Sequence, residues 1–568
     1  MRRWVFVAVF AAACASPTPR PSVTKPWGVE GRDYVVAADH PLASEAGARI
    51  LAAGGNVVDA AAATSFALAV LRPHSAGLGG GGFMLFKPAG KEAVFLDYRE
   101  TAPGAAELSA YVGPDGKPVP GKTESGPWAV GVPGHLRGVP TMLAKYGTLP
   151  LATVVAPAVE LAERGFPVDA HLHEAMLDLA DRIAKSGEPQ RYAEAARLFL
   201  KDGKALAVGE VLVQSDLAGT LRALAAQGPD AFYRGPLAEK VLAVAGAAAG
   251  GPMAAEDLAD YEPVFRTPLV GRFRGRTVVS APPPSSGGAC LVEMLGALDA
   301  YSPKVLARPE GRALVVEAMK HAFADRARLL GDPDAHPEVE ENAAAMTSAR
   351  RLKELKPLLA APHTKEPTFY GVQVLPEDAG TTHYVVMDAQ GNAVSATETV
   401  NLFFGSMLVV PGAGIVLNNQ MDDFAVSTAA ANAFGLRQSD LNLVGPGRRP
   451  LSSMSPTLLL DRGEAVLAAG GSGGPRIITG VLWAVLNSVA FGMAPDAAVA
   501  APRLHHQWSP DVVRFDPEIP ADVREELTVR GHRLVPAEGE AAVQLAVRDA
   551  RGLAAASDPR KGGRPAGR

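Results

Sequence analysis

The sequence predicts an α+β fold in which helices pack against β-sheets. Residues 43–71 are Ala-rich, with apolar side chains at helical spacing on both sides of one Gly-Gly-Asn break. Residues 149–330 are mostly helical in pattern, whereas residues 381–400 hold two strand-like runs around a short turn. Further strand-like runs lie among the helical ones, at Phe83–Phe86, 93–98 and 465–468. Interleaving of this kind is typical of helices packed on sheets.

Composition narrows the class of protein. The chain has 568 residues, a formal net charge of −5, 48% hydrophobic residues and 20% charged residues, which are ordinary values for a globular protein. The chain has neither an excess of basic residues nor a long basic block, and this argues against binding to nucleic acid or to an anionic membrane. Two cysteines in the whole chain exclude a disulfide framework and a Cys-rich zinc site.

The N-terminus predicts export. Arg2 and Arg3 precede an apolar run, 4–13, which is too short to cross a bilayer as a helix. We therefore interpret residues 1–26 as an export signal followed by a Ser/Thr/Pro-rich tether. Cys14 ends an Ala-Ala-Cys sequence that also fits a lipoprotein signal, so lipidation at Cys14 and plain secretion both remain open. The expected location is the periplasm or the exterior, with a lipid anchor in the first case.

Two glycine-rich motifs suggest different chemistry. Residues 77–82 match G-x-G-x-x-G, but a helix precedes them and a strand follows, which is the reverse of a dinucleotide site. Residues 470–474 match G-x-S-x-G, follow a strand and open a helix at Pro475. This second motif allows two hypotheses. Either Ser472 is a serine-hydrolase nucleophile, with a histidine downstream, or the glycine N–H groups cradle an oxyanion.

A predicted hairpin brings three polar residues together. Its strands flank a loop at 389–392 whose length and Gly-Asn content are typical of a hairpin connection. Direct closure of that loop places Thr381 opposite Val400 and beside Thr399 and Asn401. A bulge would shift this register by one residue.

Thr381 is a candidate N-terminal nucleophile. A threonine hydroxyl needs an adjacent base, and a terminal threonine carries one in its own α-amine, with a pKa of about 7.7–8.0. Such a terminus would form if the Thr381 hydroxyl attacked the Gly380 carbonyl and water hydrolysed the resulting ester. From this dipeptide alone, the simpler interpretation is that Thr381 and Thr382 are ordinary strand residues.

The order of the surrounding motifs resembles the γ-glutamyltransferase (glutathione hydrolase) family of N-terminal-nucleophile hydrolases. The resemblance runs from about Val35 to Arg560. Its motifs are NVVDAAAATSFALAVLRPHSAGLGGGGFM, FLDYRETAP, GVPGHLRG, PPPSSGG, GTTHYVVMD, TETVN, LNNQMDDF, GPGRRPLSSMSPT, GGSGGPRIITG, HHQWSPD and ASDPR. It implies a four-layer αββα sandwich and self-cleavage before Thr381. The products would be a large subunit, 27–380, and a small catalytic subunit, 381–568, intertwined in one fold.

The resemblance also implies a role for each candidate site residue. Thr381 would be the nucleophile, Thr399 its support, and the backbone of Gly473 and Gly474 the oxyanion hole. The α-carboxylate of the substrate would be held by Arg99, Ser452 and Ser453, and its α-ammonium by Asn401, Gln420 and Asp423. Local sequence alone allows simpler roles: a salt bridge of Arg99 with Asp97 or Glu100, a turn at the serines and a cap at Asp423.

The implied activity is cleavage of glutathione and other γ-glutamyl compounds through a γ-glutamyl-threonine ester. The group would pass to water or to the amine of an amino acid or dipeptide, with no cofactor and no metal. One alternative is an acylase of the same family that acts on glutaryl-type β-lactam (cephalosporin) side chains. Another is a non-catalytic envelope lipoprotein that binds amino-acid derivatives. One departure from the family pattern is Phe434, where a tyrosine commonly closes a lid over the pocket.

Overall fold

The computed structural model describes residues 20–370, 380–427, 439–537 and 541–568. The export signal up to residue 19, with Cys14, and the predicted lid residue Phe434 lie outside these described residues.

Two seven-stranded sheets form the centre of the fold, and every strand pair within them is antiparallel. The first sheet contains, from edge to edge, Ala566–Gly567, Tyr34–Ala38, Thr381–Asp388, Ala393–Thr399, Gly81–Lys87, Val94–Tyr98 and Val264–Arg266. The second contains Gly28–Gly31, Gly552–Ser557, Ala542–Asp549, Glu464–Ser472, Thr457–Asp461, Arg276–Ser280 and Leu269–Phe273.

Helices cover the outer face of each sheet. On the first sheet's side they are Pro41–Ala52, Val57–Leu71, His135–Tyr146, Leu151–Arg164, Ala170–Lys185, Ala193–Phe199, Ser215–Gln227, Asp230–Tyr233, Pro236–Ala245 and Ala255–Ala259. On the second sheet's side they are Gly287–Leu298, Pro303–Leu306, Pro309–Leu329, Glu338–Met346, Ala349–Leu359, Arg476–Val485, Pro495–Ala500 and Ala521–Val529. Outside these layers lie short helices at Leu108–Tyr111 and Pro367–Tyr370 and a small sheet of Leu504–His505, Val513–Phe515 and Leu534–Pro536. Three two-stranded sheets are formed by Phe166–Pro167 with Val211–Leu212, Leu200–Lys201 with Lys204–Ala205, and Val409–Val410 with Ile415–Val416.

Side-chain alternation along the strands confirms the four layers. Val35 and Ala37 lie in the core that the first sheet shares with the second sheet. Val36 and Ala38, one residue out of phase, lie in the core formed with the first sheet's helices. Successive strand residues point to opposite faces, so both faces of the first sheet are buried and the αββα prediction is confirmed.

The predicted hairpin is present, but its predicted register is wrong by one residue. Thr381 lies opposite Thr399. The backbone N–H of Asp388 donates to the carbonyl of Asn392 at 3.1 Å, and Gly391 has φ +95°. The loop therefore has three residues, not four, with a glycine in the conformation that such loops require.

The glycine motifs have the neighbours that the sequence predicts. The first motif leads into Gly81–Lys87, and the second joins Glu464–Ser472 to the helix Arg476–Val485. That helix is buried throughout, as expected for its apolar sequence. Across the four described ranges, we find no helix with both the length and the apolar character needed to cross a membrane.

Candidate active site

The candidate site is centred where two neighbouring strands of the first sheet meet. Thr381 begins one strand and Thr399 ends the other, and both residues are buried. Their hydroxyl oxygens are 3.2 Å apart. The Thr399 hydroxyl donates to the Gly380 carbonyl at 2.8 Å and accepts from the Asn401 backbone N–H at 2.9 Å. The Thr399 hydroxyl thus contacts both Thr381, the candidate nucleophile, and the Gly380 carbonyl that Thr381 would attack.

Gly380 is held in a position that only glycine fits. A Cβ atom there would lie 2.5 Å from the carbonyl oxygen of His74 and 3.1 Å from the Cα atom of Ser75. Real Cβ atoms do not approach backbone so closely. A residue with a side chain at position 380 would therefore force the peptide bond before Thr381 to shift.

An arginine–carboxylate pair forms the far side of the site. Arg99 Nη2 donates to Asp423 Oδ2, and Arg99 Nε donates to the Pro450 carbonyl at 2.8 Å. Gln420 Nε2 donates to the same Asp423 oxygen at 2.6 Å. The Arg99 side chain therefore pairs with Asp423. The simpler interpretation of the sequence, a salt bridge of Arg99 with Asp97 or Glu100, is wrong. Asp97 instead accepts from the Arg99 backbone N–H at 2.9 Å.

The backbone of Ser452, the first residue of the predicted serine pair, is held by hydrogen bonds to an upstream segment. The Ser452 backbone N–H donates to the Pro284 carbonyl at 2.9 Å, and the Ser452 carbonyl accepts from the Ser286 hydroxyl at 2.6 Å. The PPPSSGG motif upstream therefore supports the Ser452 backbone, and none of its residues lines the cavity.

One small cavity brings the predicted residues together. Of the predicted site residues, only Gly380 and Gly473 are absent from its lining. The lining consists of Arg99, Thr381, Thr399, Asn401, Gln420, Asp423, Ser452, Ser453, Met454, Gly474, Pro475 and Ile477. Asn401 adopts φ +78° there, a rare conformation for a residue with a side chain.

The turn after Glu464–Ser472 contains two glycines in backbone conformations that other residues rarely adopt. Gly473 and Gly474 have φ +124° and +56°, and a Cβ atom on Gly473 would lie 2.9 Å from the Cα atom of Ala541. Ser472 is fully buried and donates to Asp39 Oδ2 at 3.3 Å. Because its hydroxyl meets a carboxylate and not a histidine, the arrangement does not support the serine-nucleophile hypothesis.

Burial controls the titratable groups near the site. It raises the pKa of Glu100 to about 8, against the opposing charge of Arg99, and no other residue in the described ranges donates a hydrogen bond to the Glu100 carboxylate. It also lowers the pKa of His74 well below the ordinary range, and His171 and Arg72 act in the same direction. We therefore expect a protonated Glu100 and a neutral His74 at neutral pH.

The structure adds two polar residues that the sequence interpretation missed. Lys561 Nζ donates to the Thr381 carbonyl at 2.8 Å. Asp39 accepts from the Thr382 hydroxyl at 3.0 Å and lies 3.7 Å from Lys561 Nζ. The position of Lys561 directly after the ASDPR motif could have identified it from the sequence, whereas no quoted motif contains Asp39. Within the described ranges, no group of three or more His, Cys, Asp or Glu side chains is arranged to hold a metal ion.

Comparisons with known proteins identify the family to which the chain belongs. The family model described as gamma-glutamyltranspeptidase matches residues 43–568. The chain is 37% identical to the glutathione hydrolase proenzyme of Escherichia coli K12, over 99% of this chain and 97% of that protein. It is 38% identical to the acylase ACY 1 proenzyme of Pseudomonas strain SE83, over 92% and 91%. The crystal structure of cephalosporin acylase from Bacillus halodurans superposes with a TM-score of 0.84 at 29% identity, covering 97% of this chain and 99% of that one.

The four-layer sandwich, with a threonine at the start of a central strand, defines an N-terminal-nucleophile hydrolase. With the family match over nearly the whole length, the chain belongs to the γ-glutamyltranspeptidase family.

Proposed function

We infer that this protein is a self-processing γ-glutamyltransferase and glutathione hydrolase. The observation that carries the inference is the position of Thr381 beside the Arg99–Asp423 pair in one small cavity. A nucleophile and two opposite charges fit a substrate with a free amino-acid head group and an amide further along its side chain.

Maturation begins with attack of Thr381 Oγ1 on the Gly380 carbonyl carbon. The Thr399 hydroxyl stabilises the oxyanion that develops on the carbonyl oxygen, to which it already donates. The Gly380–Thr381 C–N bond breaks and the proton of the attacking hydroxyl passes to the departing nitrogen, which leaves an ester on Thr381 and frees its α-amine. Water hydrolyses the ester and gives a large subunit ending at Gly380 and a small subunit of 188 residues, 381–568.

The two charges of the substrate head group then separate the Arg99–Asp423 pair, and each charge binds the residue of opposite sign. Arg99 binds the α-carboxylate together with the hydroxyls of Ser452 and Ser453, since a guanidinium suits a carboxylate. The α-ammonium is bound by Asp423, together with Asn401 and Gln420. The length of a glutamyl side chain carries its γ-carbonyl towards Thr381.

Turnover uses the amine released by maturation. The Thr381 α-amine takes the hydroxyl proton as Oγ1 attacks the γ-carbonyl, and the N–H groups of Gly473 and Gly474 stabilise the oxyanion. The protonated amine gives its proton to the leaving amine, which leaves a γ-glutamyl ester on Thr381. Water completes hydrolysis, and the amine of an amino acid or dipeptide completes transfer.

An acylase activity on the same fold is the second candidate. The similarity to proteins named acylases, including a cephalosporin acylase, favours it. A glutaryl group has no α-ammonium, however, so it would leave the Asp423 carboxylate and the Gln420 amide without that partner. A γ-glutamyl head group supplies an ammonium that balances the Asp423 charge once its own carboxylate occupies Arg99, and this favours the γ-glutamyl substrate.

We further propose that the protein is exported, with its first 26 residues as signal and tether, and that it is either secreted or anchored to the envelope through a lipid on Cys14. Labelling with a palmitate analogue separates the two outcomes: an anchored wild type carries a label that Cys14→Ala removes, whereas a secreted one carries none.

Activity of the purified protein on γ-glutamyl-p-nitroanilide and glutaryl-p-nitroanilide tests the proposed function. We expect faster release of nitroaniline from the γ-glutamyl compound and loss of release in Thr381→Ala. Ser472→Ala, a neighbouring hydroxyl outside the cavity, serves as the matched control and retains turnover. A higher kcat/KM on the glutaryl compound would favour the acylase, and γ-glutamyl binding without release would favour the non-catalytic lipoprotein.

A further inference from the structure

A buried charge network contacts the start of the Thr381 strand without lining the cavity. Lys561, from the turn Pro559–Lys561 near the C-terminus, donates its Nζ to the Thr381 carbonyl at 2.8 Å. Asp39, which follows Tyr34–Ala38, lies 3.7 Å from the same Nζ and accepts from the Thr382 hydroxyl at 3.0 Å. Only 12% of the Lys561 side chain is exposed, and 1% of the Asp39 side chain.

The Lys561 ammonium is close to the future N-terminus. The nitrogen and carbonyl oxygen of one residue are about 3–3.6 Å apart, from standard backbone dimensions. A charge 2.8 Å from the Thr381 oxygen is therefore within about 6.5 Å of the Thr381 nitrogen. At this distance, and with little solvent, a like charge disfavours protonation of an amine.

We propose that Lys561 keeps the α-amine of mature Thr381 unprotonated, so that this amine is ready to act as the base, and that Asp39 moderates the effect. The proposal rests on the proposed function, because the amine exists only after cleavage before Thr381. Lys561 is a positioning residue in this scheme, since it contacts the nucleophile's carbonyl and exchanges no proton with the substrate.

Asp39 does not cancel the Lys561 charge. Its Oδ2 also accepts from the hydroxyls of Thr382 and Ser472, and its Oδ1 accepts from Gln544 Nε2. Burial raises the pKa of Asp39, while Lys561 and Arg72 oppose that rise. The carboxylate is therefore shared among several donors, whereas Lys561 has a direct hydrogen bond to Thr381.

Among the residues that the structure describes, the other charged or titratable groups near Thr381 are neutral, paired with an opposite charge or on the other face of the sheet. Burial lowers the pKa of His383 to about 3, and burial likewise leaves His74 neutral. Glu398 projects from the opposite face, where the hydroxyls of Ser65, Tyr98 and Tyr384 donate to it. Across the cavity, Arg99 and Asp423 pair with each other.

Arg72 is the remaining cation of the network. Its Nη2 donates to the carbonyls of Asp39 and Lys561, at 3.0 and 3.1 Å, and its Nη1 pairs with Asp169 at 2.7 Å. This geometry makes Arg72 a support for Lys561 with its own counter-ion. Of the cations in the described part of the chain, Lys561 is therefore the one that contacts Thr381 directly.

The acid limb of the kcat/KM profile against pH, measured on fully processed enzyme with γ-glutamyl-p-nitroanilide, tests this proposal. The limb reports protonation of the base in the free enzyme. In Lys561→Met the amine loses its cationic neighbour, so we expect the midpoint to rise by about one pH unit. Lys561→Arg should restore the wild-type midpoint, and Asp39→Asn should lower it. Lys353→Met, on an exposed helical position, is the matched control and should change nothing.

A purely structural role would give a different result. It would reduce kcat/KM equally at every pH and leave the midpoint in place, and that outcome in Lys561→Met would overturn the proposal. Lys561→Gln provides the same charge removal if the methionine variant is not processed. An unprocessed wild-type chain that is fully active would instead refute the proposed function, so the two failures are distinguishable.

Discussion

Asp423→Ala should separate the two substrate classes more sharply than any other single substitution in the cavity. Asp423 Oδ2 accepts from Arg99 Nη2 and from Gln420 Nε2, and the Arg99 side chain is only 1% exposed. The substitution therefore leaves a buried guanidinium unpaired in the free enzyme and removes the carboxylate that we assign to the substrate ammonium.

The magnitude follows from measurements on comparable buried pairs. Truncating one partner of a buried, hydrogen-bonded charge pair costs about 2–5 kcal/mol. A value of about 3 kcal/mol corresponds to a fall of roughly 100-fold in kcat/KM for γ-glutamyl-p-nitroanilide. A glutaryl anilide has no ammonium to lose, so its kcat/KM should change by less than about 3-fold.

The assay compares both anilides on processed enzyme, with thermal unfolding as the check on folding. Asp422→Ala is the matched control, because its carboxylate lies in the same turn but accepts from the Thr123 hydroxyl at 2.7 Å and does not line the cavity. Equal losses on the two anilides in Asp423→Ala would refute the assignment of Asp423 to the ammonium.

Three further predictions concern the oxyanion turn, maturation and acid stability. Gly473→Ala should lower kcat about 100-fold, whereas Gly463→Ala, also at positive φ but with no atom near its Cβ, should retain activity; equal kcat values for the two variants would exclude the proposed role. Gly380→Ala should slow self-cleavage on a gel time course, because its methyl group would meet a backbone carbonyl; cleavage at the wild-type rate would contradict this. Burial opposes ionisation of Glu317, but the His532 side chain 3.2 Å away and the hydroxyls of Thr364 and Tyr370 hold its pKa at about 2. The ionised carboxylate thus stabilises the fold above its ordinary pKa of about 4.5, and this stability is lost as pH falls towards 2. Thermal unfolding of Glu317→Gln should show a smaller loss over that window, and parallel curves would exclude the mechanism.

Local pattern was sufficient for the elements with strong periodicity. The strand Thr381–Asp388 has the predicted bounds, and the apolar run after Gly474 forms a buried helix, as expected. The hairpin register was missed by one residue because it depends on the conformation of Gly391, which loop length alone does not determine. Register errors of this kind are expected wherever a single turn residue decides between three-residue and four-residue loops.

The site needed information from the whole chain. Local sequence favours a salt bridge of Arg99 with a neighbour, but its partner Asp423 is 324 residues away. That residue was found only because the order of motifs resembles a family. The hydrogen bond from Thr382 to Asp39 spans 343 residues, and no motif announced it. Contacts of this kind arise from the pairing of strands and the packing of loops that are distant in the sequence, which periodicity does not encode.

The most direct test of the whole account is the mass and N-terminal sequence of the chains present in fully active enzyme. We predict two chains, of which the smaller begins at Thr381 and contains 188 residues. Thr381→Ala should remain a single inactive chain. Full γ-glutamyl turnover by an uncut polypeptide, or by the alanine variant, would contradict the account.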